Sequence, residues 1–214
     1  MKLKCSVVFL LLAGAIFTCG STFGATFTVI NTSDSGAGSL RQAIIDANAN
    51  PGADTISFDI PGTGVHTISP LTALPEITDP VTIDGYTQPG ASPNTLAEGN
   101  DAVLLIELEG SGAGGATGLR MSAGSSTVRG LVINRFVLPT IDDTLGNGIL
   151  LAGAGGDRIE GNFIGPDATG TLALPNTGVG IFVRSPNNVV GGTTPDARNN
   201  FGECAVRRRL RFGG

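Results

Sequence analysis

The clearest order in the chain is a short apolar phrase that recurs. Gly118-Leu119-Arg120-Met121, Gly148-Ile149-Leu150-Leu151 and Gly180-Ile181-Phe182-Val183 each read glycine, apolar, any residue, apolar, at spacings of 30 and 32 residues. A second phrase follows each: Thr127-Val128-Arg129-Gly130, Arg158-Ile159-Glu160-Gly161 and Asn188-Val189-Val190-Gly191. Val128, Ile159 and Val189 are 31 and 30 residues apart, with a glycine two residues after each. The first two phrases run on into Leu131-Val132-Ile133 and Asn162-Phe163-Ile164. Alternation of this kind marks strands with one buried face. The Gly, Asn and Asp clusters between them mark corners where a positive φ is needed. A period near 31 with two or three short strands per unit predicts a solenoid. The arrangement that fits is an all-β parallel β-helix with residues 118–200 as its repeats. Strands would stack about 4.8 Å apart, with inward side chains filling one long core. A β-sandwich with irregular loops is the alternative, and three repeats in one register count against it.

Upstream, the pattern is less regular. Thr26 to Ile30 reads as a strand and Asn31 to Gly38 as a turn-rich loop. Ser39 then has the spacing of an N-cap, with Gln42 three residues on, as in a capping box. Leu40, Ala43, Ile44 and Ala47 make one apolar helical face, and Asn50-Pro51-Gly52 ends the helix. A solenoid has to cover its first coil, or that edge pairs with other chains. Residues 25–52 are therefore read as an N-terminal strand and capping α-helix. Residues 53–117 are read as irregular first coils, with strands at Thr55–Ile60, Thr67-Ile68, Val81–Asp84 and Val103–Leu108.

Residues 1–24 read differently again. Lys2 and Lys4 form a basic start, Val7 to Phe17 an apolar run, and Ser21-Thr22-Phe23-Gly24 places small residues before Ala25. That is the layout of a secretory signal peptide. The run is too short for a membrane anchor, which takes about 20 residues. A lipoprotein acylated at Cys19 ranks second, because Phe17 and Thr18 suit a lipobox poorly. No transmembrane segment is expected in the mature chain.

Composition narrows the partners. Charged residues are 14% of the chain, against roughly 25% in an average domain, and 33 of 214 residues are Gly. Neither suits a helical bundle or coiled coil. After residue 24 the chain has 11 Arg, no Lys and 18 acidic residues, a net charge of −7. The body from Ala25 to Val206 carries 7 Arg against the same 18 acids. Such a body repels nucleic acid, whose binding relies on Lys and Arg neutralising phosphate. Cys204 is the one cysteine beyond residue 24, so no internal disulfide can form.

Thr28-Val29-Ile30-Asn31-Thr32, then Gly38-Ser39-Leu40-Arg41-Gln42-Ala43-Ile44 and Ala47-Asn48, resembles the N-terminal region of large bacterial secreted right-handed parallel β-helix proteins. Gln42 stands where that family's variant has Glu. Gly161 to Gly165, Thr169-Gly170, Asn187 to Gly192 and Ala197-Arg198-Asn199 are similar to its repeats. The resemblance covers about residues 26–200. It implies a right-handed parallel β-helix, secreted or on the cell surface, of the architecture that pectate lyases and polygalacturonases share.

Catalytic chemistry finds little footing. Polygalacturonases use clustered Asp and a Gly-His-Gly motif, whereas His66, the only histidine, sits in Gly64-Val65-His66-Thr67 and reads as a surface or corner residue. Arg184-Ser185-Pro186 starts the pectate lyase Arg-x-Pro-x-x-Arg pattern, but Val189 stands where the second Arg belongs. Asp142-Asp143 with Asp157 could offer oxygens to Ca²⁺, which takes six to eight, although a solvated turn is favoured. Glu107 and Glu109 share one strand face and could be an acid/base pair, with a solvent-facing rim the favoured alternative. Asp167 to Gly170 reads as a turn. No catalytic, cofactor-binding or metal-binding residue is assigned, and no cofactor is expected.

Residues 201–214 form a basic tail with Arg207, Arg208, Arg209 and Arg211 and no β-helix character. It reads as a basic arm or, the favoured explanation, as the product of a reading-frame slip near Gly202. The last strands, around Ile181–Val183 and Val189–Val190, would then leave an open edge through which the chain self-associates. The reading as a whole is a secreted or surface-exposed β-helix structural or adhesive module, a fragment of a longer protein, with polysaccharide or cell-surface glycan as partner. The alternative is a carbohydrate-active lyase or hydrolase.

Overall fold

A computed structural model describes residues 24–137, 146–202 and 206–208. The signal-like segment, Asp142-Asp143 and Cys204 lie outside the described residues. The chain is mostly β. In order come β1 (Thr26–Val29), α1 (Leu40–Ala49), β2 (Asp54–Phe58), β3 (His66–Ile68), β4 (Val81–Asp84) and β5 (Ile106–Glu109). Then follow β6 (Leu119–Met121), β7 (Thr127–Arg129), β8 (Leu131–Asn134), β9 (Ile149–Leu151) and β10 (Arg158–Glu160). The last are β11 (Phe163–Ile164), β12 (Ile181–Val183), β13 (Val189–Val190), β14 (Asn200–Phe201) and β15 (Val206–Arg208).

They form three parallel sheets. One has six strands, ordered β1-β2-β4-β7-β10-β13, a second five, β14-β11-β8-β5-β3, and a third four, β15-β12-β9-β6. The phrases of the sequence fall into register: Leu119 opposite Ile149 and Ile149 opposite Ile181, Val128 opposite Ile159. Ile159 pairs with Val190 rather than Val189. Val189 points outward and is exposed, while Val190 packs on the core. The two valines alternate faces, so aligning the third phrase on its glycine placed the wrong one inward.

Ile83, Val128 and Ile159 from the first sheet, Leu108 and Ile133 from the second, and Met121, Leu151 and Ile181 from the third meet in one core. Burying such a side chain contributes about 1.5–3 kcal/mol each before the entropy of ordering is subtracted. On β8 and β11 the alternate residues Val132 and Phe163 join Leu104 in a second, smaller cluster. It covers the other face of the five-stranded sheet.

Helix α1 begins as read: Ser39 has extended φ and ψ, and its Oγ accepts from the Gln42 N–H at 3.2 Å. The reciprocal half of the capping box is absent, because Gln42 donates to Asp46 at 2.8 Å and the Ser39 N–H goes to the Gly36 carbonyl. Leu40, Ala43, Ile44 and Ala47 are buried, and the helix packs against β1 and β2.

Toward the end of the chain, among the described residues, strand pairing goes on after β13. Strands continue past Asn200, with β14 alongside β11 and β15 alongside β12, Ile181 opposite Val206. Parallel pairing uses backbone groups, so apolar alternation is not required for it. The edge at β12 is thus occupied.

Candidate functional site

One recess on the surface lies where β4, β7 and β10 run side by side. Their outward residues Asp84, Arg129 and Glu160 stand opposite one another, giving a row of negative, positive and negative charge. Opposite charges on facing strands favour that register. Arg129 Nη2 is 2.6 Å from Asp84 Oδ2, and Arg158 Nη1 is 3.3 Å from Glu160 Oε2. The Arg129 guanidinium is held more firmly protonated than usual, first by its hydrogen bond to Asp84.

Asp84 also caps the short 3-10 helix Gly85–Thr87, its Oδ1 accepting from the Tyr86 N–H at 3.1 Å. The chain therefore turns sharply and lays the Tyr86 ring over the corners after β7 and β10. Those corners are Gly130 and Gly161, with φ of 72° and 65°. A Cβ on Gly161 would lie 2.6 Å from the Tyr86 Oη, so only glycine lets the ring settle there. Tyr86 donates its hydroxyl to the Gly161 carbonyl at 2.6 Å. Burial, with the Asp84, Asp196 and Glu160 carboxylates adding to it against Arg129, pushes the phenol up to about 12. Tyr86, Pro93, Arg129, Glu160 and Asp196 line a cleft of about 140 Å³. Its chemistry is an aromatic ring with guanidinium and carboxylate groups at the rim, suited to a small hydroxylated ligand. A neighbouring cavity of about 280 Å³ has Asn94, Asn100, Arg198 and Asn199 among its walls. There Arg198 ties down the loop by donating to the carbonyls of Leu96, Ala97 and Gly99.

Glu107 and Glu109 are not on a solvent-facing rim. They are 7% and 8% exposed. Glu107 accepts from Thr67 Oγ1 at 2.7 Å, Asn134 Nδ2 at 2.8 Å and Arg135 Nη2 at 3.3 Å. Glu109 Oε1 accepts from the Ser111 N–H at 2.8 Å and lies 3.3 Å from Arg135 Nε. Arg135 reaches both carboxylates from a left-handed backbone, φ 58°. Buried carboxylates need such donors, and Glu107's were not legible in advance because Thr67, Asn134 and Arg135 come from β3 and from the end of β8 and the residue after it.

The other candidates are separated. His66 is part of β3, half-buried rather than at a surface corner, and its Nε2 is enclosed with no hydrogen-bond partner. Its neighbour Thr67 is the residue that bonds Glu107, so the His66 side chain lies on the opposite face of the strand. Arg184 extends over the Phe182 ring at 5.7 Å, and no second arginine joins it at Val189. Asp157 is wholly buried, away from solvent. Asp167 closes its own turn, accepting from Thr169 Oγ1 at 2.8 Å and the Leu172 N–H at 3.1 Å. Among the described residues no group of three or more His, Cys, Asp or Glu is arranged to hold a metal ion. Among the same residues no helix is long and apolar enough to cross a membrane.

The Tyr86 cleft was not anticipated. A signal existed: Arg129 and Glu160 occupy the same place in successive phrases, with opposite charge and a glycine after each. Compared with known proteins, the chain matches no family model and no curated protein.

Proposed function

We propose that the chain is a right-handed parallel β-helix that acts outside the cell, as a secreted or surface-exposed structural and adhesive module with glycans as its contact partners. Export through residues 1–24 is part of this reading. The observation that carries it is the register: strands about 31 residues apart lie side by side in three parallel sheets. The Tyr86 cleft supports the glycan contact, since an aromatic face edged by Arg129, Glu160 and Asp196 offers a sugar ring both stacking and hydrogen bonds. The acidic body supports a partner other than nucleic acid. Self-association through the C-terminal end belongs to the same reading: among the described residues β13, β14 and β15 are edge strands of their sheets, and such edges recruit others.

Tyr86 supplies the test, because it is the only Tyr in a chain without Trp. Its fluorescence is followed while neutral and acidic oligosaccharides are added. A saturable change that Arg129→Ala removes is expected. No response to any of these sugars, with the protein folded, would overturn the glycan contact. A second reading, a polysaccharide lyase or hydrolase, is favoured by one observation, the convergence of Glu107 and Glu109 on Arg135. Unsaturated product from polyuronates with and without Ca²⁺, lost in Glu107→Gln, would establish it, and no product under either condition would exclude polyuronate lyase action.

A further inference from the structure

We propose that Asp157 is a proton-dependent latch, stabilising the fold as the neutral acid in its buried corner and destabilising it when it ionises. The argument begins with a column of equivalent positions. The registers of the six-stranded sheet align Ala25, Asp54, Val81, Ser126, Asp157 and Asn188 at the entrance to successive strands. Along this column a side-chain oxygen accepts the backbone N–H of the position before it. Asp54 Oδ1 accepts from Ala25, Ser126 Oγ from Val81, Asp157 Oδ1 from Ser126 and Asn188 Oδ1 from Asp157, at 2.7–3.1 Å.

The other half of each side chain distinguishes the members. Asn188 turns its Nδ2 back to the carbonyl and hydroxyl of Ser185, at 3.0 and 2.9 Å. Asp157 has an oxygen, Oδ2, in the corresponding place. That atom is enclosed and has no hydrogen-bond partner, and the residue is 0% exposed. Asp54 Oδ2 is likewise enclosed without a partner, but Asp54 Oδ1 takes a second donor, the Asn50 amide at 2.7 Å. Asp157 has no such addition. By the register, the carbonyl that matches Ser185 is that of Ala154, three residues before Asp157. An ionised carboxylate would set its free oxygen toward a carbonyl, whereas a carboxylic acid O–H can donate as the Asn188 amide does.

Among the described residues no charged group holds the ionised form. The residues stacked on Asp157 are Ser125 and Ser126 in the preceding pass and Pro186 and Asn188 in the following one, beside its own Gly155 and Gly156. None is titratable. Arg158, next in sequence, is exposed and pairs with Glu160. Burial raises the Asp157 carboxyl above the usual aspartate value of 3.8, opposed only by the Ser126 N–H.

The consequence has a definite sign. Below the ordinary aspartate value both folded and unfolded chains carry the proton. Above it the unfolded chain ionises while folded Asp157 does not, so stability falls with rising pH until the folded group titrates, and is level beyond. Asp157→Asn provides the amide that the column already uses at Asn188 and removes the proton. The ratio of the variant's folding constant to that of the wild type is therefore expected to rise with pH from near 4, by up to tenfold per unit, and then to reach a plateau. A ratio that does not change with pH would overturn the proposal. Should the variant not fold, the wild-type Asp157 carboxyl is followed by ¹³C NMR. Titration above the usual aspartate value is expected, and titration at or below it would overturn the proposal equally.

Discussion

Residues 25–117 supply strands to two of the three sheets and residues 118–208 to all three, and the two stretches do so in different ways. In the later stretch, partners recur at an even step: Thr127, Arg158 and Val189 stand side by side, 31 residues apart. In the earlier stretch the step from Thr26 to Thr55 is 29 residues, and from Thr82 to Thr127 it is 45. The long step contains Tyr86, Pro93 and the loop held by Arg198. The even stretch supplies a flat row of charges, Arg129 and Glu160. The uneven stretch supplies the aromatic ring and the wall that make a recess of it. The recess forms where regularity is interrupted, while register comes from the evenly spaced strands.

This contrast can be broken at its strongest point first. Ile159 is fully buried between Val128 and Val190. Ile159→Ala should cost about 2–5 kcal/mol by loss of buried methylenes and the cavity left behind, seen as a lower midpoint in urea. A loss below about 0.5 kcal/mol would mean that Ile159 is not buried in the even stretch. Next, Gly161→Ala meets both a positive φ and the Tyr86 ring. It should cost more than about 1 kcal/mol and, by displacing the ring, bring the Tyr86 pKa back toward 10. An unchanged pKa would show that the glycine corner does not seat the ring.

At the helix, Ser39→Ala should cost about 1 kcal/mol through the lost N-cap, as a small drop in thermal midpoint. The effect that appears only at the extreme of pH is that of Tyr86 itself. Its phenol keeps its proton up to about 12 in the folded chain, while the unfolded chain releases it near 10. Its contribution to stability is therefore complete below pH 10 and declines between 10 and about 12. Ultraviolet titration of this single tyrosine checks it, and a midpoint at 10 would place the ring in open solvent.

Much of this was legible because it is local or periodic. Ser39 and the face formed by Leu40, Ala43, Ile44 and Ala47 announce α1, since a cap and a helical face involve neighbours only. Gly118, Gly148 and Gly180 announce β6, β9 and β12, because stacked strands repeat one pattern. The same reasoning slipped at Val189, where the corner before β13 differs by one residue and a step of one reverses the face. It failed at Glu107 and Glu109, whose burial depends on Thr67, Asn134 and Arg135, residues remote in sequence and of no distinctive spacing. It missed the Tyr86 cleft for a related reason, since Asp84, Arg129, Glu160 and Asp196 come from four separate passes of the chain.

The account rests on parallel, in-register stacking of the even stretch, and proton NMR of the backbone tests that most directly. Parallel stacking predicts contacts between the Thr127 and Arg158 backbones and between those of Arg158 and Val189, together with slow amide exchange along β7 and β10. Strong Hα–Hα contacts between these strands, the mark of antiparallel pairing in a β-sandwich, would contradict it.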